Sequence, residues 1–191
     1  GFDWLSLASL DLTVLRRLSP ARQRNALQHW LAARTRLPDA RHWAGWESLR
    51  DAQGDGRPCW RLTDGELHRA NKRIWWLSDD WLRSVQAQCW SDPAQPLKLP
   101  HNGSLRLSGM LPQGPMRIAY RQGGESLQIQ GRGRRDLKRL LNERQVPLFV
   151  RPRLPLLYQG EQLLAVANLP ELNPGEWQLH WCVPTSEQGL R

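Results

Sequence analysis

Three prolines in ten residues, SDPAQPLKLP at positions 91–100, constrain this chain more than any other feature. Each proline fixes its own φ and removes an amide donor, so neither a helix nor a central strand can run through the segment. The composition also changes across it. Nine of the eleven tryptophans precede residue 91, whereas Gly-punctuated alternating segments lie mostly after residue 100. A chain of 191 residues has room for two small domains. The expected organisation is therefore a first domain over residues 1–90, a linker over 91–100 and a second domain over 101–191.

The first part opens with helix signals. Ser19 followed by Pro20 is a hydroxyl N-cap with proline at the first helical position, where its missing N–H costs nothing. Leu27, Trp30 and Leu31 then fall on one helical face. Asp39 is the expected N-cap of a second helix that carries Trp43, Trp46 and Leu49 inward. Residues 59–77 read as strands, with Asp64-Gly65 as a hairpin turn and Ile74-Trp75-Trp76-Leu77 as a strand. Adjacent strand residues face opposite ways, so one of Trp75 and Trp76 is expected away from the core.

The second part alternates. Met116, Ile118 and Tyr120 point one way and Arg117, Ala119 and Arg121 the other, and Leu127 and Ile129 repeat that period beyond a Gly123-Gly124 turn. A helix is expected over residues 134–145, a doubly covered strand over 163–167, and a last strand carrying Trp177, Leu179 and Trp181. The fold class is α+β: a mainly helical first domain with a short strand hairpin, then a mixed α+β domain.

Composition removes several functions. With 40% hydrophobic and 24% charged residues the chain is globular, and no apolar stretch approaches a membrane span. Cys59, Cys89 and Cys182 are odd in number and have no CxxC or Cys/His ligand spacing, so neither a disulfide framework nor a zinc site is expected. A reducing cytoplasm is the natural setting. The five histidines are scattered; His29 and His180 fall on the polar sides of their elements and read as solvated. No GxSxG, P-loop or HExxH pattern occurs, so no catalytic residue, metal ligand or cofactor site is assigned within these residues.

What remains is charge. The chain carries a formal +9, and residues 131–153 alone hold eight basic and two acidic side chains. Arginine supplies most of it, and its planar fork suits phosphate oxygens. With Leu137, Leu140 and Leu141 inward, Arg135, Lys138, Arg139 and Asn142 cluster on the opposite helical face. Gly131 and Gly133 could bring backbone N–H groups to an anion, and Arg134 and Arg135 would sit in the first helical turn, where the dipole disfavours cations. Arg151 and Arg153 flank Pro152 on a stiff segment and are candidate phosphate ligands or snorkelling side chains. The candidates for nucleic-acid contact are Arg121, Arg132, Arg134, Arg135, Lys138, Arg139, Arg151 and Arg153. The competing reading is a protein-interaction module, pairing with another domain or a second copy, whose basic helix is only solvated.

Three stretches carry a resemblance. LSPARQRNALQHWL (residues 18–31) resembles the start of the central substrate-binding domain of bacterial tRNA(Ile)-lysidine synthetases. ELHRANKRIWWL (66–77) is similar, more weakly, to that family's ELRRYRG-type strand. RQGGE (121–125), the basic helix and VPLFVRPRLPLLYQGEQLLAV (146–166) resemble its C-terminal domain, with Phe149 where the family usually has Trp. The order of the matches is the family's. The resemblance implies a tRNA-binding portion of a ligase that uses ATP and magnesium to attach lysine to C2 of the wobble cytidine of isoleucine tRNA. It implies that residues 101–191 grip the acceptor stem, and that the chemistry belongs to an N-terminal ATP-pyrophosphatase domain with an SGGxDS loop. That loop does not occur in these 191 residues, and the Gly1 start suits a C-terminal portion, so the chain alone is expected to be inactive.

Overall fold

A computed structural model describes residues 2–53, 56–173 and 175–184, which divide into two compact units. One, rich in tryptophan, spans residues 7–83; the other, the basic unit, combines residues 84–184 with 2–6.

The Trp-rich unit contains β1 (Ser9–Asp11), α1 (Leu12–Arg16), α2 (Pro20–Ala32), α3 (Ala44–Asp51), β2 (Cys59–Arg61), β3 (Gly65–Ala70), β4 (Arg73–Ser78) and α4 (Asp79–Leu82). The strands form one antiparallel sheet in the order β1-β4-β3-β2, larger than the hairpin expected. The Ser19 hydroxyl accepts from the Arg22 amide, as its sequence context requires. Asp39 accepts from the Arg41 and His42 amides, but it caps a turn; the helix itself begins at Ala44. Asn71 and Lys72 both have positive φ, which gives the tight β3–β4 connection its matching twist.

Leu27 and Leu31 of α2 and Trp46 and Leu49 of α3 pack with Trp60, Leu67, Ile74 and Trp76 of the sheet in one core. Each fully buried side chain of this kind contributes about 1.5–3 kcal/mol. A Cβ on Gly45 would lie 2.3 Å from the Trp60 ring, so α3 approaches the sheet as closely as it does only because that position is glycine. Arg69 donates to the Leu49, Arg50 and Ala52 carbonyls and thereby caps the C-terminal end of α3. Trp75 and Trp76 are both buried, contrary to the expectation that one faces out, and the Trp75 indole N–H donates to the Ala70 carbonyl.

The basic unit contains β5 (Gln88–Trp90), β6 (Leu97–Lys98), β7 (Ser104–Gly109), β8 (Met116–Ala119), β9 (Ser126–Ile129), β10 (Gly133–Asp136), α5 (Leu137–Glu143), β11 (Leu156–Gln159), β12 (Gln162–Val166) and β13 (Trp177–Cys182). Its sheets are ordered β12-β11-β8-β5, β13-β7-β6 and β10-β9. The mixed α+β class is thus observed. The boundary is not where the prolines suggested: the units divide between residues 83 and 84, and residues 91–100 belong inside the basic unit. Trp90 and Leu99 are buried, and β6 pairs with β7 as an edge strand, the one place where flanking prolines do no harm. Residues 163–167 are buried as expected, although β12 lies at a sheet edge.

Asn102, fully buried, ties this unit together. Its amide donates to the Tyr120 hydroxyl and the Arg153 carbonyl, its side-chain oxygen accepts from Arg153 Nε, and its own carbonyl accepts from the Trp181 indole.

Candidate nucleic-acid interface

The basic run folds as a hairpin followed by a helix. β10 pairs antiparallel with β9, setting Arg134 opposite Gln128 and Arg135 opposite Leu127. Gly131 and Gly133 have φ of +73° and +69°, and they turn the chain between the two strands. Arg134 and Arg135 therefore lie on a strand, not in the first turn of a helix, and the expected repulsion with a helix dipole does not arise. The helix is α5, whose Asp136 cap accepts from the Arg139 amide at 3.0 Å. Leu137, Leu140 and Leu141 are fully buried, which leaves Lys138, Arg139 and Asn142 outward, as the spacing predicts. Arg132, Arg134, Arg135, Lys138 and Arg139 are all exposed.

Part of this charge is neutralised locally. Glu143 stands 3.4 Å from Arg132 and 3.8 Å from Arg139, and Arg144 pairs with Glu171 at 2.6 Å. Arg134 donates from Nε to the Ser126 hydroxyl, and Arg135 donates to the Arg134 carbonyl. Among the described residues no carboxylate lies within ion-pair distance of Arg134, Arg135 or Lys138. These three hold the uncompensated charge of the patch.

Arg151 and Arg153 are not part of it. Both are buried, at 8% and 4% exposure, in a 3-10 turn. Arg151 donates to the Val146 and Leu141 carbonyls and to Asn142 Oδ1, satisfying groups at the C-terminal end of α5. Arg153 donates to Asn102 Oδ1 and to the His101 carbonyl. Their guanidinium groups are spent on internal acceptors, so neither is available to an external phosphate.

Arg121 occupies an intermediate position. Its Nε lies 3.5 Å from Glu125, and the same carboxylate accepts from the Gln122 and Gly123 amides. Gly123 and Gly124 have φ of +107° and +82°, so the loop needs glycine, but its inward N–H groups already hold an acid from within the chain.

An open cleft of about 630 Å³ lies beside this loop, lined by Arg117, Gly123, Gly124, Ser126, Arg134 and Tyr158 among others. The Arg117 guanidinium stacks 4.3 Å from the Tyr158 ring centroid and donates to the Gly160 carbonyl. Burial, and then the Glu125 carboxylate, push the Tyr158 hydroxyl up from its ordinary value. Arg117 was not among the expected ligands, although its alternation with Ile118 placed it on the same strand face as Arg121. In the Trp-rich unit, Cys59, Glu66 and His68 bring three potential metal-ligand atoms together. No described helix is long and apolar enough to cross a membrane.

Each of the two units contains a region that a known protein family matches. The TilS substrate binding domain family matches residues 10–75, and the TilS substrate C-terminal domain family matches residues 116–181. The chain is 64% identical over 188 residues to a tRNA(Ile)-lysidine synthase of Pseudomonas putida, covering 98% of this chain and 44% of that protein. It is 58% identical over 191 residues to the Pseudomonas aeruginosa protein of the same name, covering 98% and 43%. A solved structure of a TilS C-terminal domain aligns with 52% of this chain and 100% of its own at 17% identity and a TM-score of 0.39, a likeness too loose to fix details of the fold. The chain spans less than half the length of the curated relatives it matches. Two domain families in the order expected, with close relatives across nearly every residue, establish that this chain belongs to the tRNA(Ile)-lysidine synthetase family.

Proposed function

We propose that this chain is the tRNA-holding portion of a tRNA(Ile)-lysidine synthetase, and that the basic unit grips the acceptor stem while a separate ATP-pyrophosphatase domain, with ATP and magnesium, carries the ligation. The observation that carries the reading is the exposed cluster Arg134, Arg135 and Lys138, joined by Arg132 and Arg139 on the same hairpin and helix. A cluster of unneutralised cations on a rigid frame is what phosphate recognition requires. An acceptor stem is A-form, so the contacts expected are to phosphates and 2′-hydroxyls. The large exposed apolar side chains among the described residues, Val14, Leu37, Leu82 and Met110, are far apart in sequence and give a docking module no obvious anchor.

The test is a fluorescence-anisotropy titration of labelled isoleucine tRNA at two salt concentrations. Arg135→Gln with Arg139→Gln should weaken binding at low salt and reduce the slope of log K against log salt by roughly 0.7–0.9 for each phosphate that is no longer neutralised. An unchanged affinity and slope in the folded double variant would remove the patch from the tRNA site. A chain that self-associates at high salt without binding tRNA would favour the protein-interaction reading.

A further inference from the structure

The hairpin β2–β3 places four polar side chains on one face of the sheet. Cys59 is directly opposite His68, and Arg61 directly opposite Glu66, so all four project from the same side of the two strands. Cys59 Sγ, a Glu66 carboxylate oxygen and a His68 ring nitrogen lie within 4.8 Å of one another. His68 Nε2 is 2.8 Å from Glu66 Oε2, while Arg61 contacts the other carboxylate oxygen at 3.3 Å. Glu66 and His68 are largely covered, with side chains 14% and 19% exposed, whereas Cys59 as a residue is exposed with its thiol partly covered.

We infer that Cys59, Glu66 and His68 form a binding site for a tetrahedral divalent transition metal, Zn²⁺ by its chemistry, with the fourth position open to solvent. A thiolate, an imidazole and a carboxylate are the donor types that Zn²⁺ accepts, at bond lengths of about 2.0–2.3 Å, which sets ligand atoms roughly 3–4 Å apart. The three atoms, all within 4.8 Å of one another, are already near that spacing. The His68–Glu66 hydrogen bond would give way to two metal bonds. The cost at Arg61 is small, because its side chain is 81% exposed and such a pair contributes little.

A nucleophilic cysteine fits the same geometry less well. Burial and the Glu66 carboxylate push the Cys59 thiol up, the opposite of what an activated thiol needs. A divalent cation reverses that sign, since each anionic neighbour then becomes a fellow ligand. The bound ion would cross-link β2, an edge strand of its sheet, to β3, and stabilise the hairpin by mass action.

The test uses the reduced, metal-stripped 191-residue chain titrated with Co²⁺ as a spectroscopic stand-in, then with Zn²⁺ in competition. One Co²⁺ per chain should bind with a thiolate-to-metal charge-transfer band that Zn²⁺ abolishes. Cys59→Ser should remove the band, His68→Gln should weaken binding by at least about tenfold, and Cys89→Ser with Cys182→Ser should leave both unchanged. A missing band in the unaltered chain, a band that survives Cys59→Ser, or a band absent from the double variant at Cys89 and Cys182 overturns the site. Should Cys59→Ser misfold by circular dichroism, alkylation of the unaltered chain decides. Zn²⁺ must slow iodoacetamide modification of Cys59 relative to Cys89 and Cys182, and equal slowing at all three overturns the site.

Discussion

Two groups of arginines sit within twenty residues of each other in sequence and do opposite work. Arg134 and Arg135 stand on a hairpin strand with no carboxylate beside them among the described residues. Arg151 and Arg153 are buried in a turn, each guanidinium distributed over backbone carbonyls and an asparagine side chain. The first group is exposed and unneutralised; the second is part of what makes the fold. Charge density along the sequence therefore overstates the charge available to a ligand. It also overstates it at Arg69, which caps α3 from within the Trp-rich unit.

The comparison breaks most visibly at Arg153. Arg153→Ala would remove the Nε–H donor to the side-chain oxygen of the fully buried Asn102, together with the donor to the His101 carbonyl, and should cost about 3 kcal/mol in urea denaturation. The tRNA affinity of the folded fraction should stay within about twofold. A variant that kept its stability but no longer bound tRNA would place Arg153 with the exposed group instead. Next in size is the reverse experiment. Arg134→Gln, Arg135→Gln and Lys138→Gln together should lower tRNA affinity by about tenfold or more at low salt and leave stability within about 0.5 kcal/mol.

Glu143→Gln probes the boundary between the groups. It frees Arg132 and Arg139 from their acid, so tRNA binding should tighten by a few fold at most and its salt dependence should steepen. The stability change should be below about 1 kcal/mol, as for other surface pairs. The smallest effect concerns His180, whose pKa is lowered by burial and then by Arg106, and whose Nε2 contacts the Ser108 hydroxyl at 2.9 Å. The fold favours the neutral ring, so its contribution is complete above the ordinary histidine pKa of about 6.5 and fades as pH falls through the lower folded value. Stability should drop slightly more between about pH 7 and pH 5 in the unaltered chain than in His180→Gln, measured by thermal melts.

What the sequence made legible follows the range of the interaction involved. Local signals carried through: Ser19 caps α2, Gly123-Gly124 turns, and Leu137, Leu140 and Leu141 point inward. Segment boundaries carried less well. The apolar stripe of α5 invites extension back through Arg134, but pairing with β9 claims residues 133–136 first, and Asp136 is the cap that marks the switch. The prolines at 91–100 read as a linker because their helix-breaking is local, while the pairing of β6 with β7 and the burial of Leu99 are not. The internal role of Arg153 needed Asn102, about fifty residues away, and no periodicity announces such a partner. Cys59 and His68 were similarly hidden. They have no ligand spacing along the chain, and the β2–β3 register supplies it across the strands.

Residues 2–6 belong to the basic unit, and Trp4 packs against Trp181 in a tilted arrangement with ring centroids 5.8 Å apart. The whole Trp-rich unit is synthesised between these two rings. The last strand, β13, must therefore emerge before the earliest segment finds its partner, a pairing of nearly the highest sequence separation this chain allows. A fragment begun at residue 84 would meet that lack directly: Trp181 would lose the Trp4 ring that packs against it, and a peptide of residues 2–6 supplied separately would have something to complement.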